Sequence, residues 1–390
     1  ISYPRLAGTE NDEVKCKAYL ENKFKELNVD TMIDKVEWSE FSTNVLLRLI
    51  VSVIFVGLLV GLLLELFDLA LVNLIFTTSL IACLFIAVSA QQSKTEMFSK
   101  MGKQEETFNI LATIGAKSKP ISKDGIKNIV FVAHHDTKSQ KVTTLIRTIS
   151  YVLGFMIGLV LGLLIIISSI LKLAWFSPAE LIGLKVTIIV LFCVVSVFLA
   201  ILMYNKTIEG KSVGSLDNAT AMAIVFKLLE YYKDNPLDSV KLWFLITGAE
   251  EFGMVGAIHF WQKYAREQGE LKSDDTVVFN YDLVAQGLHI VDYHGLPKRK
   301  PYNKYMNEIF KESAKELSIP VSGFWLPMLG TTDGWIFRSN NVETIDIINE
   351  GMSKYAHSEK DNPSVCDVKT LQDAVAVTKL SVEKLVSKNA

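Results

Sequence analysis

The chain has 390 residues, of which 50% are hydrophobic, and a formal charge of −2. This hydrophobic fraction excludes an ordinary soluble enzyme of this size, and the balanced charge gives no basic surface for nucleic acid. The four cysteines form no CxxC pair, so neither a disulfide framework nor a thiolate zinc site is expected.

The apolar residues are concentrated in four blocks that follow a predicted helix at 8–29. The blocks are Val45–Leu64, Leu69–Ala90, Thr148–Leu171 and Leu181–Tyr204. Each has about 20 residues, which matches the ~30 Å thickness of the hydrocarbon core at a rise of ~1.5 Å per residue. The blocks therefore predict four membrane spans, arranged as two helical hairpins at 45–90 and 148–204.

Paired spans return the chain to the same side of the bilayer each time. The polar segments 1–44, 91–147 and 205–390 are therefore predicted to share one compartment and to fold together as one domain. Lysine and arginine are concentrated in these segments near the spans, whereas the hairpin tips carry only Lys172 and Lys185. By the positive-inside rule, we expect an integral membrane protein whose polar domain is cytoplasmic.

The polar segments alternate between predicted strands and predicted helices. The strands are Asn128–Ala133, Lys241–Thr247, Thr276–Tyr281, His289–Asp292 and Thr344–Ile348, and the helices include Leu216–Tyr232 and Tyr302–Leu317. This alternation predicts an α/β domain with a mixed, largely parallel sheet sandwiched by helices.

Polar side chains follow three of these strands. They are His134, His135 and Asp136 after the first strand, Glu250 and Glu251 after the second, and Asp282 after the third. The functional crevice of an open α/β sheet lies beyond the carboxyl ends of its strands, so these residues are expected to converge. A histidine with several carboxylates suits a divalent cation such as zinc. Of two adjacent glutamates, one can bind metal while the other accepts a proton.

Each candidate also has a plainer explanation when it is taken alone. Asp217, in GSLDNAT, is typical of a helix N-cap. His357, in KYAHSEKDNP, is typical of a polar surface loop. His135 is the alternative ligand to His134, although neighbours along a strand point to opposite faces. It is the order and context of the motifs together that indicate a common site.

That order resembles the co-catalytic zinc aminopeptidase family, which includes bacterial leucyl aminopeptidases and the glutamate carboxypeptidase and transferrin receptor branch. In this chain the motifs read AHHD, GSLDNATA, TGAEEFG, NYD and AHSEKD, and the early RLAGTEND is similar to the family's N-terminal opening. The resemblance covers nearly all of the polar sequence and stops at the four apolar blocks. It implies the zinc exopeptidase fold and a metal-dependent peptidase that acts on peptides.

The resemblance also implies a set of metal ligands for two zinc ions. His134 and Asp282 would bind the first ion. Glu251 and His357 would bind the second ion, and Asp217 would bridge both.

Glu250 would then be the general base, and Asp136 would hydrogen-bond His134 and orient its ring. The expected function is a membrane-integrated di-zinc metallopeptidase, and specifically an aminopeptidase. A carboxypeptidase or another amide hydrolase on the same centre remains an alternative, as does a non-catalytic peptidase-like membrane scaffold. Many relatives have an Asp-His pair where this chain has Asp333-Gly334, so the resemblance does not predict the details of the substrate pocket. The sequence does not specify the oligomeric state.

The predicted site lies close in sequence to a predicted span. About eleven residues separate Asp136 from the third apolar block, a reach of at most ~35–40 Å. We hypothesise that the spans direct the enzyme towards peptides that leave or lie on the membrane. Simple anchoring is the alternative.

Overall fold

The computed structural model describes residues 3–9, 12–91, 100–117, 125–208, 210–295, 298–326 and 332–387. It contains two compact units. The sheet unit consists of Ile1–Ser39, Gly102–Ser139 and Ile208–Ala390, and the helical unit consists of Glu40–Met101 and Gln140–Thr207. Glu10 and Asn11, in the RLAGTEND stretch, lie outside the described residues. The limits predicted for the three-segment domain stay a prediction.

The elements of the sheet unit begin and end as follows. Its strands are β1 Thr31–Trp38, β2 Glu105–Ile114, β3 Asn128–His134, β6 Lys241–Thr247, β7 Thr276–Asp282, β8 Leu288–His294, β9 Lys300–Pro301, β10 Val321–Leu326 and β11 Glu343–Ile348. Its helices are α1 Asp12–Glu26, α6 Thr220–Asp234, α7 Val255–Trp261, α8 Lys304–Glu316, α9 Gly334–Ser339 and α10 Val368–Ser387. Two short strands, β4 Ser139–Gln140 and β5 Thr207–Ile208, lie where the chain passes between the units.

Within the described residues, nine strands form one mixed sheet in the order β1-β2-β6-β3-β7-β11-β8-β10, with β9 beside β8. The central strands β6, β3, β7 and β11 are parallel, and β10 is parallel to β8. β1, β2 and β6 pair in antiparallel fashion, as do β8 and β11. The prediction of a mixed, largely parallel α/β sheet is confirmed.

The central strands are buried on both faces of the sheet, which explains their continuous apolar sequence. In β3, Phe131 belongs to one apolar cluster together with Leu228 of α6 and Val377 of α10. Its neighbour Val132 belongs to the cluster on the other face, together with Phe260 of α7. Helices therefore cover both faces, and the carboxyl ends of the central strands are left to carry the polar residues.

Of the strands in the described residues, six were not predicted from the sequence: β1, β2, β10 and the two-residue strands β4, β5 and β9. In β1, buried and exposed residues alternate near its end, but the buried position at 34 holds an aspartate. Asp34 accepts a hydrogen bond from the hydroxyl of Tyr264 at 3.1 Å, which explains how a carboxylate occupies this position. A polar residue at an inward site hides the period-two pattern by which a strand is recognised.

The helical unit contains α2 Leu47–Leu66, α3 Ala70–Gln91, α4 Thr144–Leu173 and α5 Ile182–Tyr204. Among the described residues, three stretches are long and apolar enough to cross a membrane: Thr43–Leu66, Thr144–Leu173 and Ile182–Tyr204. In α3, the apolar stretch with described side chains, Ala70–Ile86, is shorter than this criterion requires. Three of the four predicted spans therefore meet this criterion, and the second predicted span, Leu69–Ala90, is not confirmed.

A polar cluster around the buried carboxylate of Glu65 joins the ends of three of these helices. Nζ of Lys172 lies 2.7 Å from Oε1 of Glu65 and 2.8 Å from Oδ1 of Asp68. The hydroxyl of Ser168 donates to the same Oε1 atom at 2.7 Å. Lys185 lies farther away, with Nζ 3.4 Å from Oδ1 of Asp68. Lys172 is thus the cation that holds both carboxylates at the tip of the first hairpin.

Candidate active site

The structure brings the predicted site residues together at the carboxyl ends of the central strands. His134 and Asp282 are the last residues of β3 and β7, and Glu250 begins the short 3-10 turn Glu250–Phe252 after β6. Asp217 lies in the irregular segment Ser215–Ala219, directly before α6. His357 follows the 3-10 turn Met352–Lys354 and has a φ of 61°.

Asp217 stands between two groups of potential ligands. Its Oδ1 lies 3.3 Å from Nε2 of His134, and its Oδ2 lies 3.2 Å from Nε2 of His357. Asp282 completes the first group, with Oδ1 3.7 Å from Nε2 of His134. Glu251 completes the second group, with Oε1 2.7 Å from Nε2 of His357. In each group of three, the ligand atoms all lie within 4.8 Å of one another.

The two adjacent histidines have different surroundings. His134 faces the carboxylates. His135 stacks on the ring of Phe108, with centroids 4.1 Å apart, and its Nε2 lies 2.9 Å from the carbonyl oxygen of Phe108. Burial lowers the pKa of His135 to about 3, so this imidazole is neutral. The geometry therefore groups His134, and not His135, with the candidate ligands.

The position of Asp136 differs from the sequence prediction. Its Oδ1 lies 3.7 Å from Nδ1 of His134, which is too far for a hydrogen bond. Instead, Nδ1 lies 3.1 Å from the main-chain oxygen of Asp136. The carboxylate accepts the main-chain N–H groups of Glu250 at 3.1 Å and of Glu251 at 3.3 Å. Those N–H groups open a helical turn and lack partners within it, which explains why they attract the carboxylate.

The residues present fit a zinc centre. The donor set consists of imidazole nitrogen and carboxylate oxygen, which are zinc ligands. Among the described residues, no hydrogen bond of normal geometry satisfies the buried atoms Nε2 of His134 and Oδ1 of Asp282. Each group offers three protein ligands, as in catalytic zinc sites, which keep one position for water or substrate.

The buried charges shift the pKa values of the metal-free site. Burial raises the pKa of Glu250 well above its usual range, and the neighbouring charges of Asp282 and Glu251 add to this effect. Burial also raises the pKa of Asp282 to about 6. Burial alone would lower the pKa of His357, but the carboxylates of Glu251 and Asp217 outweigh it and raise the value to about 9. A cation would relieve the repulsion among these carboxylates.

Asp333 is a buried site residue to which the sequence analysis gave no role. Its Oδ2 accepts a hydrogen bond from the hydroxyl of Thr247, the last residue of β6, and its Oδ1 has no partner among the described residues. Burial raises the pKa of Asp333 to about 7. The sequence signal was the TTDGW stretch, where the expected Asp-His pair is replaced by Asp333-Gly334.

Gly334 itself is required by a close approach. A β-carbon at this position would lie 2.0 Å from Oδ1 of Asp346. Oδ1 of Asp346 is held by Nδ2 of Asn280 at 2.7 Å and by the hydroxyl of Thr332 at 3.1 Å. A histidine at 334 therefore does not fit this packing.

One sequence model of a known family matches part of the chain. Residues 202–381 match the sequence model of Peptidase family M28. No curated protein sequence is similar enough to the chain to count as a match. The predicted relation to the co-catalytic zinc aminopeptidase family is confirmed, and the match supports the prediction of a zinc-dependent metallopeptidase.

Solved structures share the fold at low sequence identity. A glutaminyl cyclase from an Acidobacteriales bacterium is 12% identical, with 99% of this chain and 90% of that chain covered and a TM-score of 0.55. A leucine aminopeptidase precursor from Bacteroides thetaiotaomicron VPI-5482 is 14% identical, with 97% and 90% covered and a TM-score of 0.52. At this level of identity the two structures bear on the fold alone, and they support the zinc exopeptidase fold.

A third structure, an aminopeptidase from Aneurinibacillus sp. strain AM-1, is 16% identical and has a TM-score of 0.43. The match covers 73% of this chain and 49% of that chain, so this chain spans about half the length of that protein.

Proposed function

We propose that the protein is a membrane-integrated aminopeptidase that uses two zinc ions to release N-terminal residues from peptides. The observation that supports this most strongly is the position of Asp217. Its two carboxylate oxygens face two separate imidazoles, at 3.3 and 3.2 Å, and each imidazole has a further carboxylate beside it. A shared carboxylate with two further ligands on each side is the arrangement that a two-metal hydrolase needs.

The ligands divide into two sets in this proposal. His134, Asp217 and Asp282 would hold one zinc ion, and Asp217, Glu251 and His357 would hold the other. When bound, zinc would polarise the scissile carbonyl group and lower the pKa of water.

Glu250 is the proposed general base. Its Oε2 lies 3.9 Å from Nε2 of His134, so the carboxyl group borders the first ligand set without belonging to either set. A carboxylate at this position would accept a proton from water and pass that proton to the leaving amine. Asp136 holds the main-chain N–H of Glu250, which keeps the carboxyl group in place.

A peptide screen tests the proposed reaction. Metal-depleted and zinc-restored protein is incubated with one peptide carrying a free amino terminus and with the same peptide N-acetylated. We expect zinc-dependent cleavage of the free-amine peptide alone. Cleavage of the acetylated peptide from its carboxyl end would instead support a carboxypeptidase, and absence of hydrolysis by zinc-loaded protein would support a scaffold.

The glutaminyl cyclase among the structural neighbours defines one more arm of the screen. A peptide that begins with glutamine would lose ammonia without chain cleavage if this chain cyclised its substrate. Mass spectrometry separates the two outcomes, because release of an amino acid and loss of ammonia change the mass differently. We expect release of the amino-terminal residue.

Four spans, with the sheet unit in the cytoplasm, complete the proposal. β1 precedes the first apolar segment, β2 and β3 follow it, and β6 follows the second segment, yet all four strands belong to one sheet. Each apolar segment must therefore cross the bilayer an even number of times. Since α2, α4 and α5 are long enough to span, this parity favours a fourth crossing by α3.

Cysteine labelling in intact cells tests the orientation. Trp175 is 95% exposed and lies between α4 and α5, and Val368, at the start of α10, is 67% exposed. A membrane-impermeant maleimide should label Trp175→Cys and leave Val368→Cys unlabelled until the cells are lysed. The reverse pattern would place the sheet unit outside the cytoplasm.

A further inference from the structure

We propose that Arg5 and Asp361 are positioning residues that fix the loop 212–217 and thereby aim the two carboxylate oxygens of Asp217 at the two halves of the site. The inference rests on the proposed function, because it concerns the same metal centre. Both residues are buried, with 0% of their surface exposed, and they come from opposite ends of the chain.

Arg5 connects the end of β3 to this loop. Its guanidinium donates from Nε to the main-chain oxygen of His135 at 2.8 Å, and from Nη1 and Nη2 to those of Val213 at 2.9 Å and Gly214 at 2.8 Å. Its main-chain N–H also donates to the hydroxyl of Thr137 at 2.7 Å. One side chain therefore links the segment that carries His134 to the segment that carries Asp217.

Asp361 connects the same loop to the segment that carries His357. Its Oδ1 accepts the main-chain N–H of Leu216 at 2.6 Å, and its Oδ2 accepts the hydroxyl of Ser212 at 2.8 Å. The oxygen of that hydroxyl accepts the main-chain N–H of Gly214 at 3.1 Å. The loop is thus held at its carbonyl groups by a cation and at its N–H groups by an anion.

The loop depends on these contacts because it has little regular structure of its own. Asp217 has φ and ψ of −118° and 84°, outside the helical range, although helix α6 begins only three residues later. Gly214 has a φ of +63°, and a β-carbon there would lie 2.6 Å from Nη2 of Arg5. Glycine therefore permits the close approach through which the guanidinium reaches the loop.

The expected effect is a loss of metal affinity at both ions. Partners that orient metal ligands typically change metal affinity about 10- to 100-fold when they are removed. Because Asp217 is the ligand common to both sets, its displacement should weaken both zinc equivalents. Loss of Asp282, a ligand of one set, should weaken one equivalent and largely preserve the other.

Zinc titration of the full-length, metal-free protein in detergent tests the inference, with a coloured chelator as competitor and no peptide present. We expect Asp361→Ala to weaken both zinc equivalents at least tenfold, and Asp282→Ala to weaken one. Asp34→Ala is the matched control, because it removes another buried carboxylate that lies outside the site, where Lys263 and Tyr264 hold it. Its zinc affinities should stay within about twofold of those of the parent protein.

Two milder variants keep the test valid if Asp361→Ala fails to fold. Asp361→Asn keeps one acceptor for the N–H of Leu216 and should lose less zinc affinity than the alanine variant. Arg5→Lys keeps the charge but cannot reach three carbonyl groups, and it should weaken both equivalents. The inference would be overturned if Asp361→Ala, Asp361→Asn and Arg5→Lys all bound zinc as tightly as the Asp34→Ala control.

Peptide hydrolysis, measured separately, distinguishes this inference from the proposed function. Parent protein that binds two zinc ions and cleaves no peptide would refute the peptidase proposal and leave the positioning role intact. Active parent protein whose Asp361 and Arg5 variants keep full zinc affinity would refute the positioning role alone. Parent protein that binds no zinc would refute both.

Discussion

Replacement of Glu250 by glutamine is the most direct test of the proposed chemistry. The two side chains have nearly the same volume. The main-chain N–H of residue 250 would still be held by Asp136, at 3.1 Å in the parent structure, so the backbone of the turn should not move. The change therefore removes the capacity to accept a proton and little else.

The expected loss follows from the position of the carboxyl group. A positioned general base typically contributes about 10²- to 10⁴-fold to the rate, which corresponds to about 3–5 kcal/mol in the activation free energy. Replacement bases are constrained: the carboxylate of Asp136 is occupied by two N–H groups, and one oxygen of Asp333 is occupied by Thr247. We therefore expect Glu250→Gln to lower kcat at least 100-fold.

Zinc content and unfolding temperature separate this catalytic effect from a structural one. The pKa of Glu250 is raised in the folded protein, so its stabilising contribution is present below the ordinary carboxyl pKa and is lost as pH rises through the folded value. Glutamine carries no such ionisation. At pH 8 the metal-free variant should be at least as stable as the parent and should bind the same amount of zinc.

The control is Glu230→Gln, which alters an exposed glutamate on α6 that pairs with Lys227. It should leave kcat and zinc content unchanged. Retention of more than a tenth of the parent kcat by Glu250→Gln would contradict the assignment of the base. Asp333, whose Oδ1 is unpartnered among the described residues, would then be the next candidate.

Three further predictions concern stability and the membrane. The pKa values of Asp282 and Asp333 are raised by burial to about 6 and about 7, so the metal-free protein should lose stability as pH rises from about 4 to 7; thermal unfolding in chelator should show this fall, and a rise instead would contradict it. Lys172→Ala leaves the buried carboxylate of Glu65 unpaired and should cost about 3–5 kcal/mol, whereas Lys185→Ala disrupts a more exposed pair and should cost less than about 1 kcal/mol; detergent-titrated unfolding measures both, and equal effects would refute the difference. If the spans direct substrates, full-length protein in vesicles should cleave a lipid-anchored peptide faster than full-length protein in detergent does, whereas the rates on a soluble peptide should be the same in vesicles and in detergent. Equal rates in vesicles and in detergent for both peptides would support simple anchoring.

The sequence predicted the central strands well because they are buried on both faces and read as continuous apolar runs. The strand over Lys241–Thr247 is found with the predicted limits. β1 was missed because Asp34 occupies an inward position, and the predicted helix from Leu216 begins only at Thr220. In that case the motif that supplies Asp217 also resembles a helix start, so local propensity cannot separate a capping residue from one held in an irregular loop.

Contacts between distant segments were beyond the reach of local patterns. Arg5 and Asp361 lie in stretches already singled out for other residues, yet no periodicity or spacing indicates that they hold the same loop. The predicted donor to the Asp136 carboxylate likewise differs from the donors in the structure, because the sequence places this residue two positions from His134. Main-chain N–H groups more than a hundred residues away compete for the same oxygens, and only the folded chain reveals them.

The two apolar segments interrupt the sheet unit at points where the chain leaves and returns side by side, which explains how the sheet forms despite these insertions. The first segment leaves after β1 and returns before β2, and these strands pair so that Trp38 lies opposite Glu105, which makes the interruption an extended β-hairpin connection. The second segment leaves after Ser139, whose hydroxyl oxygen accepts the N–H groups of Lys211 at 3.1 Å and Ser212 at 2.8 Å on the returning chain. In both cases the chain departs and returns at adjacent points. Lengthening such a connection costs only about 0.6 kcal/mol per doubling of its length, so the sheet can close around the site whatever the inserted segments do.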